Sequence, residues 1–256
     1  VGSVIVYKDA IIGEGWHQKA GSPHAEVNAI DSVKNKALIP ESTLYVNLEP
    51  CSHHGRTPPC ADLIISNGIK KVVIGTVDTN SQVGGKGIKR LREHGVEVVV
   101  SVMEEAGREL NKRFFTFHEK KRPYVILKWA QSADGYIFPD AASVQKGLPF
   151  WISNSYSLQR VHQWRSEEAS ILVGTRTVRQ DNPKLNIRDF AGNSILRIAI
   201  DRKLELARSL NFFDGSSETI IYNEEKDETI DRLNFVRLDF SKDIVTQIMR
   251  HLHRME

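Results

Sequence analysis

The sequence predicts an α/β fold in two domains, and three observations carry that reading. Short β-branched runs such as K-V-V-I-G-T-V at 71–77 recur between stretches with helical spacing. A length of 256 residues favours two domains over one. Near the middle, Glu119-Lys120-Lys121-Arg122-Pro123 breaks both patterns with charge and a proline stop. The expected division is a first domain over 1–119, a linker over 120–123 and a second domain over 124–256.

In the first domain, Gly2–Tyr7 is strand-like, Asp9 marks a hairpin turn, and Ile11 and Ile12 begin a second strand. G-E-G-W-H-Q-K-A-G-S-P then reads as a glycine-rich loop. His24–Val33 has helical spacing, with Ala25, Ala29 and Val33 on one side and Pro23 at the start. Thr43–Leu48 is a strand that ends in a bend at E-P-C. Cys60 opens a helix over Ala61–Ser66, stopped by Asn67-Gly68. Lys71–Val77 is a strand, and the loop after it runs through Gly84, Gly85 and Gly87. Ile88–His94 is helical, Val96–Val100 a strand and Met103–Phe117 one long helix.

The second domain opens with a strand over Tyr124–Trp129 and a turn over Ser132–Gly135; Ile137 restarts an extended piece, and Asp140–Pro149 is a loop. Ser155–Arg165 is a helix carrying Leu158, Val161 and His162 on a face. Ala169–Val173 is a buried-type strand. Gly174–Arg179 turns into a short helix, broken by Asp181-Asn182-Pro183. Leu196–Ile200, Thr219–Tyr222 and Phe235–Leu238 are strands, and Ile244–Leu252 is a closing helix. The chain opens on a strand without an initiator Met and stops just after a helical pattern, so flanking residues are expected at both ends.

Apolar residues make up 40% of the chain and no run reaches the length of a membrane span. No secretory leader is visible. Two cysteines cannot build a disulfide framework, so the expected compartment is the reducing cytoplasm. A net charge of +3, spread over both halves, suits a phosphorylated small molecule as well as nucleic acid.

The chemistry gathers between His24 and Cys60. His24 and Glu26 form H-x-E, and the chain's two cysteines follow as E-P-C-S-H-H-G-R-T-P-P-C. One imidazole and two thiolates make a three-ligand zinc set that leaves a position open for water. Glu26 is then near enough to move protons without being a ligand. This is the zinc-deaminase pattern. The placement suits the chemistry, because helix N-termini stabilise thiolates. A structural zinc would want a fourth protein ligand, for which His53 and His54 are candidates, but neither accounts for Glu26.

The insert between the cysteines is long where nucleoside deaminases carry C-x-x-C. That run, the G-E-G-W-H lead-in, Asp78 with Asn80, and Gly85-Lys86-Gly87 resemble the RibD family of bifunctional riboflavin biosynthesis enzymes. The resemblance continues through L-K-W-A-Q-S-A-D-G, W-I-S, V-H-Q-W-R and G-T-R-T-V-R-Q-D-N-P-K-L-N-I-R. It implies a cytidine-deaminase-like three-layer domain followed by a dihydrofolate-reductase-like α/β domain. It implies zinc-dependent deamination of 2,5-diamino-6-(5-phosphoribosylamino)pyrimidin-4(3H)-one, then reduction of the ribosyl group to ribityl phosphate with NADPH. The implied zinc ligands are His24, Cys51 and Cys60, with Glu26 as proton shuttle. His17, His53, Asp78, Asn80 and Lys86 match pocket positions. Lys86, His53 and Arg56 are donors apt for a ribose phosphate or an oxo-pyrimidine edge, and Arg56 could equally brace the loop. In the second domain the resemblance sets Gln131, Trp151, Thr177 and Asp181 near NADPH, and Arg165, Leu185 and Arg188 near substrate. Two arginines suit a phosphate because each guanidinium fork binds it bidentately. The family is commonly oligomeric, so a homo-oligomer is expected, with neither nucleic acid nor membrane as partner.

The chain departs from the family at several points. The family's D-P-N-P is D-T-N-S here, and Ala133, Pro149 and Asn186 replace the usual Leu, Ser and Thr. The family's Glu-Gly-Gly segment would lie beyond Glu256, and its leading helix before Val1. No G-x-G-x-x-G fingerprint is present. Two rivals follow: a zinc deaminase of another base, nucleoside or tRNA adenosine, and a monofunctional deaminase with an inactive second domain. A non-catalytic metabolite-binding relative is disfavoured in the first domain by the intact ligand set.

Overall fold

The computed structural model describes residues 1–19, 21–54, 58–79, 84–137, 152–188, 190 and 194–255. It divides into two compact units, Val1–Tyr124 and Val125–Met255. No helix among the described residues is long and apolar enough to cross a membrane.

The first unit begins with a hairpin of β1 (Gly2–Tyr7) and β2 (Ala10–Trp16). Lys8 and Asp9 both have positive φ, the backbone that a tight hairpin turn demands. Helix α1 (Ala25–Ser32) follows, then a short 3-10 helix over Lys36–Glu41 that the sequence reading missed. Next come β3 (Thr43–Leu48), α2 (Cys60–Ser66), β4 (Lys71–Thr76), α3 (Lys86–Glu93) and β5 (Glu97–Val99). The sheet order is β2-β1-β3-β4-β5. β1 is antiparallel to β2 and β3, while β3, β4 and β5 are parallel. Ile5, Leu44, Val46, Val72 and Ile74 form one core with Ala29 and Ile30 of α1, Ala61 and Ile64 of α2, and Ile88 and Leu91 of α3. Three helices thus share one sheet face.

Two expectations fail in this unit. The stretch expected as a glycine-rich loop is still strand through Gly13-Glu14-Gly15-Trp16. Its glycines serve close packing: a Cβ on Gly13 would sit 2.5 Å from the Ala29 carbonyl oxygen, and one on Gly15 2.3 Å from the Ala29 nitrogen. The single helix expected over 103–117 is two, α4 (Glu104–Leu110) and α5 (Lys112–Lys120). They part at Asn111, whose φ of -101° and ψ of 23° leave the helical region and whose side chain donates to the Gly107 carbonyl. α5 runs one residue into the expected linker.

The second unit holds α6 (Ser155–Glu167), β6 (Ser170–Gly174), α7 (Thr175–Asp181), β7 (Leu196–Ile200), β8 (Thr219–Asn223), β9 (Glu228–Ile230), β10 (Leu233–Arg237) and α8 (Ile244–Arg254). The sheet order is β6-β7-β8-β10-β9, parallel except for β9. Neighbours along one strand feed opposite cores. Ala199 and Ile221 pack with Val178, Leu185, Phe212 and Phe235, whereas Ile198 and Ile220 pack with Tyr222, Leu238 and Ile248 of α8. Burial on both faces explains why these strands read as continuous apolar runs.

Three expectations fail here. Tyr124–Trp129 is no strand: it finds no ladder partner among the described residues, and Leu127 and Trp129 are exposed. The run Y-V-I-L-K-W is strand-like in composition, but a strand needs a neighbour to satisfy its N–H and C=O groups. Ile137 is likewise exposed, in a bend. The supposedly buried strand β6 is half exposed, with Leu172 at 43%, because it pairs only with β7 at the sheet edge. β9 and a 3-10 turn over Asn211–Phe213 had no recognised signal. The loop expected over Asp140–Pro149 lies outside the described residues.

Arg197 is fully buried in β7 and organises this unit's loops. Its guanidinium donates to Asp214 Oδ1 at 2.9 Å, to the carbonyls of Lys184 and Asn211 at 3.2 Å each, to the Ser217 carbonyl at 3.4 Å and to Thr219 Oγ1 at 3.3 Å. A buried cation is tolerable only when paired and hydrogen-bonded in this way.

Two stability outcomes follow. Gly15→Ala pushes a methyl into α1 and should lower unfolding free energy in urea by about 2 kcal/mol, whereas Gly174→Ala, with nothing within 4 Å, should change it by less than about 0.5 kcal/mol. Arg197→Met leaves Asp214 and several carbonyls without their donor, and should cost about 3 kcal/mol, read from the transition of the second unit.

Candidate functional site

Three chain segments deliver a ligand set to one point. His24 is the N-cap of α1, Cys60 is the first residue of α2, and Cys51 lies just past the end of β3. Nδ1 of His24 is 3.6 Å from Cys51 Sγ and 3.3 Å from Cys60 Sγ. All three ligand atoms lie within 4.8 Å of one another, and no other group of three His, Cys, Asp or Glu among the described residues could hold a metal. Tetrahedral zinc with ordinary Zn–N and Zn–S bonds places nitrogen and sulfur about 3.5 Å apart. The donor set therefore fits zinc in both chemistry and spacing.

The local folding that brings them together is simple. The Cys60 N–H donates to Cys51 Sγ at 3.4 Å, and the Ala61 N–H donates to the Cys51 carbonyl at 3.0 Å. The first turn of α2 thus wraps onto Cys51. Hydrogen bonding from Cys60, helped by His24, holds the Cys51 thiol well below its usual range; Cys60 shifts the opposite way. A thiol pair this close shares one ionisation readily and needs a cation for the second. Hydrogen bonding to Cys51 raises the His24 pKa.

Glu26 sits one turn into α1, 3% exposed. Burial pushes its carboxyl above the ordinary carboxylate range, so it holds a proton more readily than an exposed acid does. His17 packs edge-on against His24 with ring centroids 5.3 Å apart, and its Nδ1 lies 3.2 Å from the Pro23 carbonyl. His53 is exposed in the loop after Cys51. Asp78 is buried at 8% just beyond β4, and Lys86 is the exposed first residue of α3. Arg56 and Asn80 lie outside the described residues.

Sequence reasoning passed over Glu49. This carboxylate is 4% exposed and accepts four main-chain N–H groups: Asp78 at 3.2 Å and Gly85 at 2.9 Å on Oε2, Gly87 at 2.9 Å and Ile88 at 3.2 Å on Oε1. An acid closing an apolar strand just before P-C was the available signal. Arg197 was missed too, although a lone arginine within L-R-I-A-I is equally conspicuous.

In the second unit, Arg165 on α6 is half-buried. Its Nη1 donates to the Asn186 carbonyl at 3.4 Å, while its Nε has no hydrogen-bond partner among the described residues. Burial lowers its pKa, and the charge of Arg188 lowers it further. The Arg188 N–H donates to His162 Nδ1 at 3.3 Å, so α6 also holds the 182–188 segment. Two mutually repelling cations and an orphaned guanidinium N–H suit an anion such as phosphate. Leu185 is buried at 7% with a φ of +52°, a costly conformation for a branched side chain. It follows Lys184, whose carbonyl Arg197 grips, and Asn182 is tied to Asn211 by two hydrogen bonds. Thr177 and Asp181 are exposed on α7, which leaves the C-terminal end of parallel strand β6, where open α/β sheets take their ligands. Gln131 is exposed and accepts from Trp129 Nε1 at 2.9 Å. Trp151 lies outside the described residues, as does Pro149.

Residues 1–76 match the cytidine and deoxycytidylate deaminase zinc-binding region, and residues 123–256 match the RibD C-terminal domain. Riboflavin biosynthesis protein RibD of Aquifex aeolicus is 43% identical over 91% of this chain, and that of Synechocystis is 41% identical over 93%. The chain spans 64% and 62% of the length of those two relatives. A Thermotoga maritima diaminohydroxyphosphoribosylaminopyrimidine deaminase/5-amino-6-(5-phosphoribosylamino)uracil reductase superposes with a TM-score of 0.87 at 40% identity, covering 99% of this chain and 71% of that one. Acinetobacter baumannii RibD gives 0.86 at 32% identity, covering 99% and 70%.

The metal centre is directly testable. Purified protein should hold about one zinc per chain by atomic absorption. Cys60→Ala should lose it, and Glu26→Gln should keep it, because the carboxylate stands beside the ligands and not among them.

Proposed function

Because this chain belongs to the RibD family of riboflavin biosynthesis proteins, we propose that it deaminates 2,5-diamino-6-(5-phosphoribosylamino)pyrimidin-4(3H)-one in its first domain, 1–119, and reduces the product with NADPH in its second, 124–256. The observation that carries the first half is the convergence of His24, Cys51 and Cys60 with buried Glu26 beside them. Zinc bound there would supply a nucleophilic hydroxide near neutral pH. Glu26 takes the proton that the water gives up and passes it to the ring nitrogen; it then takes the proton of the added hydroxyl as the carbonyl forms and delivers it to the departing amine. The net change is an exocyclic amine and water going to a carbonyl and ammonia. Burial suits Glu26 to this work, since a carboxyl of raised pKa accepts a proton more readily than an exposed one. Asp78, Asn80, Lys86, His17, His53 and Arg56 are the groups we assign to the pyrimidine and its ribose phosphate.

In the reductase half, NADPH would supply hydride, and the protein would orient it. We assign Gln131, Trp151, Thr177 and Asp181 to the cofactor. Arg165, Leu185 and Arg188 go to the substrate, with the unpartnered Nε of Arg165 facing its phosphate. The reading includes a homo-oligomer in the cytoplasm, with no nucleic acid and no membrane as partner.

The test uses the zinc-loaded chain with the diaminopyrimidine phosphoriboside, with and without NADPH, and products identified by mass. Ammonia and the deaminated ribosyl product are expected without NADPH, and the ribityl product with it. Deaminated product alone under both conditions would assign a monofunctional deaminase. Ammonia from cytidine but none from the diaminopyrimidine would overturn the substrate assignment. Glu26→Gln should lower kcat at least about 100-fold at unchanged zinc content.

A further inference from the structure

We propose that Glu49 is a positioning residue of the deaminase site: its carboxylate staples Asp78 and the start of α3, with Lys86, onto the strand end that delivers Cys51. This rests on the deaminase reading above.

Glu49 stands two residues before Cys51 and is itself fixed to the sheet, its N–H donating to the Thr76 carbonyl at 2.9 Å. Its four hydrogen bonds all come from main-chain N–H groups. They come from both sides of residues 80–83. Asp78 lies before them; Gly85, Gly87 and Ile88 lie after, where α3 begins. The carboxylate thus fills the positive N-terminal end of α3, which compensates a buried charge that would otherwise be costly. Contact reinforces the bonds. A Cβ on Gly87 would lie 1.9 Å from the Pro50 carbonyl oxygen, so the first turn of α3 rests directly on the residue between Glu49 and Cys51.

The consequence is geometric. Lys86 lies between two residues whose N–H groups Glu49 holds, and Asp78 offers its own N–H to the same carboxylate. Both substrate-facing groups are therefore referenced to the metal ligand Cys51 through a few bonds. The Glu49 side chain touches neither substrate nor metal ligand; it acts through Asp78 and Lys86. Gln cannot replace it, because a side-chain amide would turn an NH2 group toward two of the four N–H donors.

The experiment compares Glu49→Gln, Lys86→Ala and the double variant in the zinc-loaded full chain. Glu49→Gln should keep its zinc, raise KM for the diaminopyrimidine about tenfold and leave kcat within about threefold. The double variant should be no worse than the weaker-binding single variant, because one residue acts through the other. Additive effects, zinc loss, or a fall in kcat at unchanged KM would overturn the proposal. If the unmodified chain releases no ammonia from this substrate, the deaminase reading has failed, and amide exchange judges Glu49 separately. Exchange at Asp78, Gly85, Gly87 and Ile88 should then rise at least about 100-fold in Glu49→Gln with α2 unaffected, and unchanged exchange sinks the stapling role. Should Glu49→Gln not fold, Gly87→Ala lifts α3 from Pro50 with the carboxylate intact; it should raise KM with zinc retained, and a normal KM refutes the proposal.

Discussion

Two sulfurs and an imidazole nitrogen held within 4.8 Å of one another are the constraint on which the first unit is built. Without a cation such a cluster is unfavourable, since one thiol must stay protonated while the other borrows its hydrogen. The fold nevertheless brings the three together from an N-cap, a strand end and a first helical turn. It can do so because α1 and α2 share one sheet face and one core, with Ala29, Ala61 and Ile64 buried beneath them. Small residues make the approach possible. Gly13 and Gly15 let α1 lie against β2, and Gly87 lets α3 lie against Pro50. The metal-binding geometry is thus a by-product of close packing among glycine-bearing elements.

Glu26 and Glu49 show how burial gives two carboxylates opposite work. Glu26 is desolvated and stands among ionisable neighbours, so its proton is retained longer than in water. Glu49 is equally buried but is met by four N–H donors, so it serves as a fixed point of attachment. One acid has its proton held by burial while the other holds backbone, and the difference lies in their partners and not in their exposure.

The second unit applies the same logic to a cation. Arg197 is saturated by Asp214 and by three carbonyls from the connections on either side of β7, and is structural. Arg165 keeps an Nε with no partner among the described residues, beside the charge of a second arginine. The segment 182–188 is held between them, gripped at Lys184 from one side and at Arg188 from α6 on the other.

The sequence by itself determined the α/β class, the strands β1, β3, β4, β6, β7 and β8, and the His/Cys/Cys set that suits zinc. Those signals are local: period, β-branched runs, and rare residue types at fixed spacing. The sequence misjudged 13–16, the unbroken helix over 103–117, the strand over 124–129 and the burial of the strand at 169–173, where the outcome rests on neighbours far along the chain. A glycine pair reads as loop until a helix packs on it. An apolar run reads as buried strand until the sheet is seen to end beside it. Glu49 and Arg197 went unrecognised for the same reason, since a buried charge reveals its purpose only through partners tens of residues away. Tertiary structure alone decided those, because hydrogen-bond satisfaction and close packing belong to pairs of segments and are written in no single one.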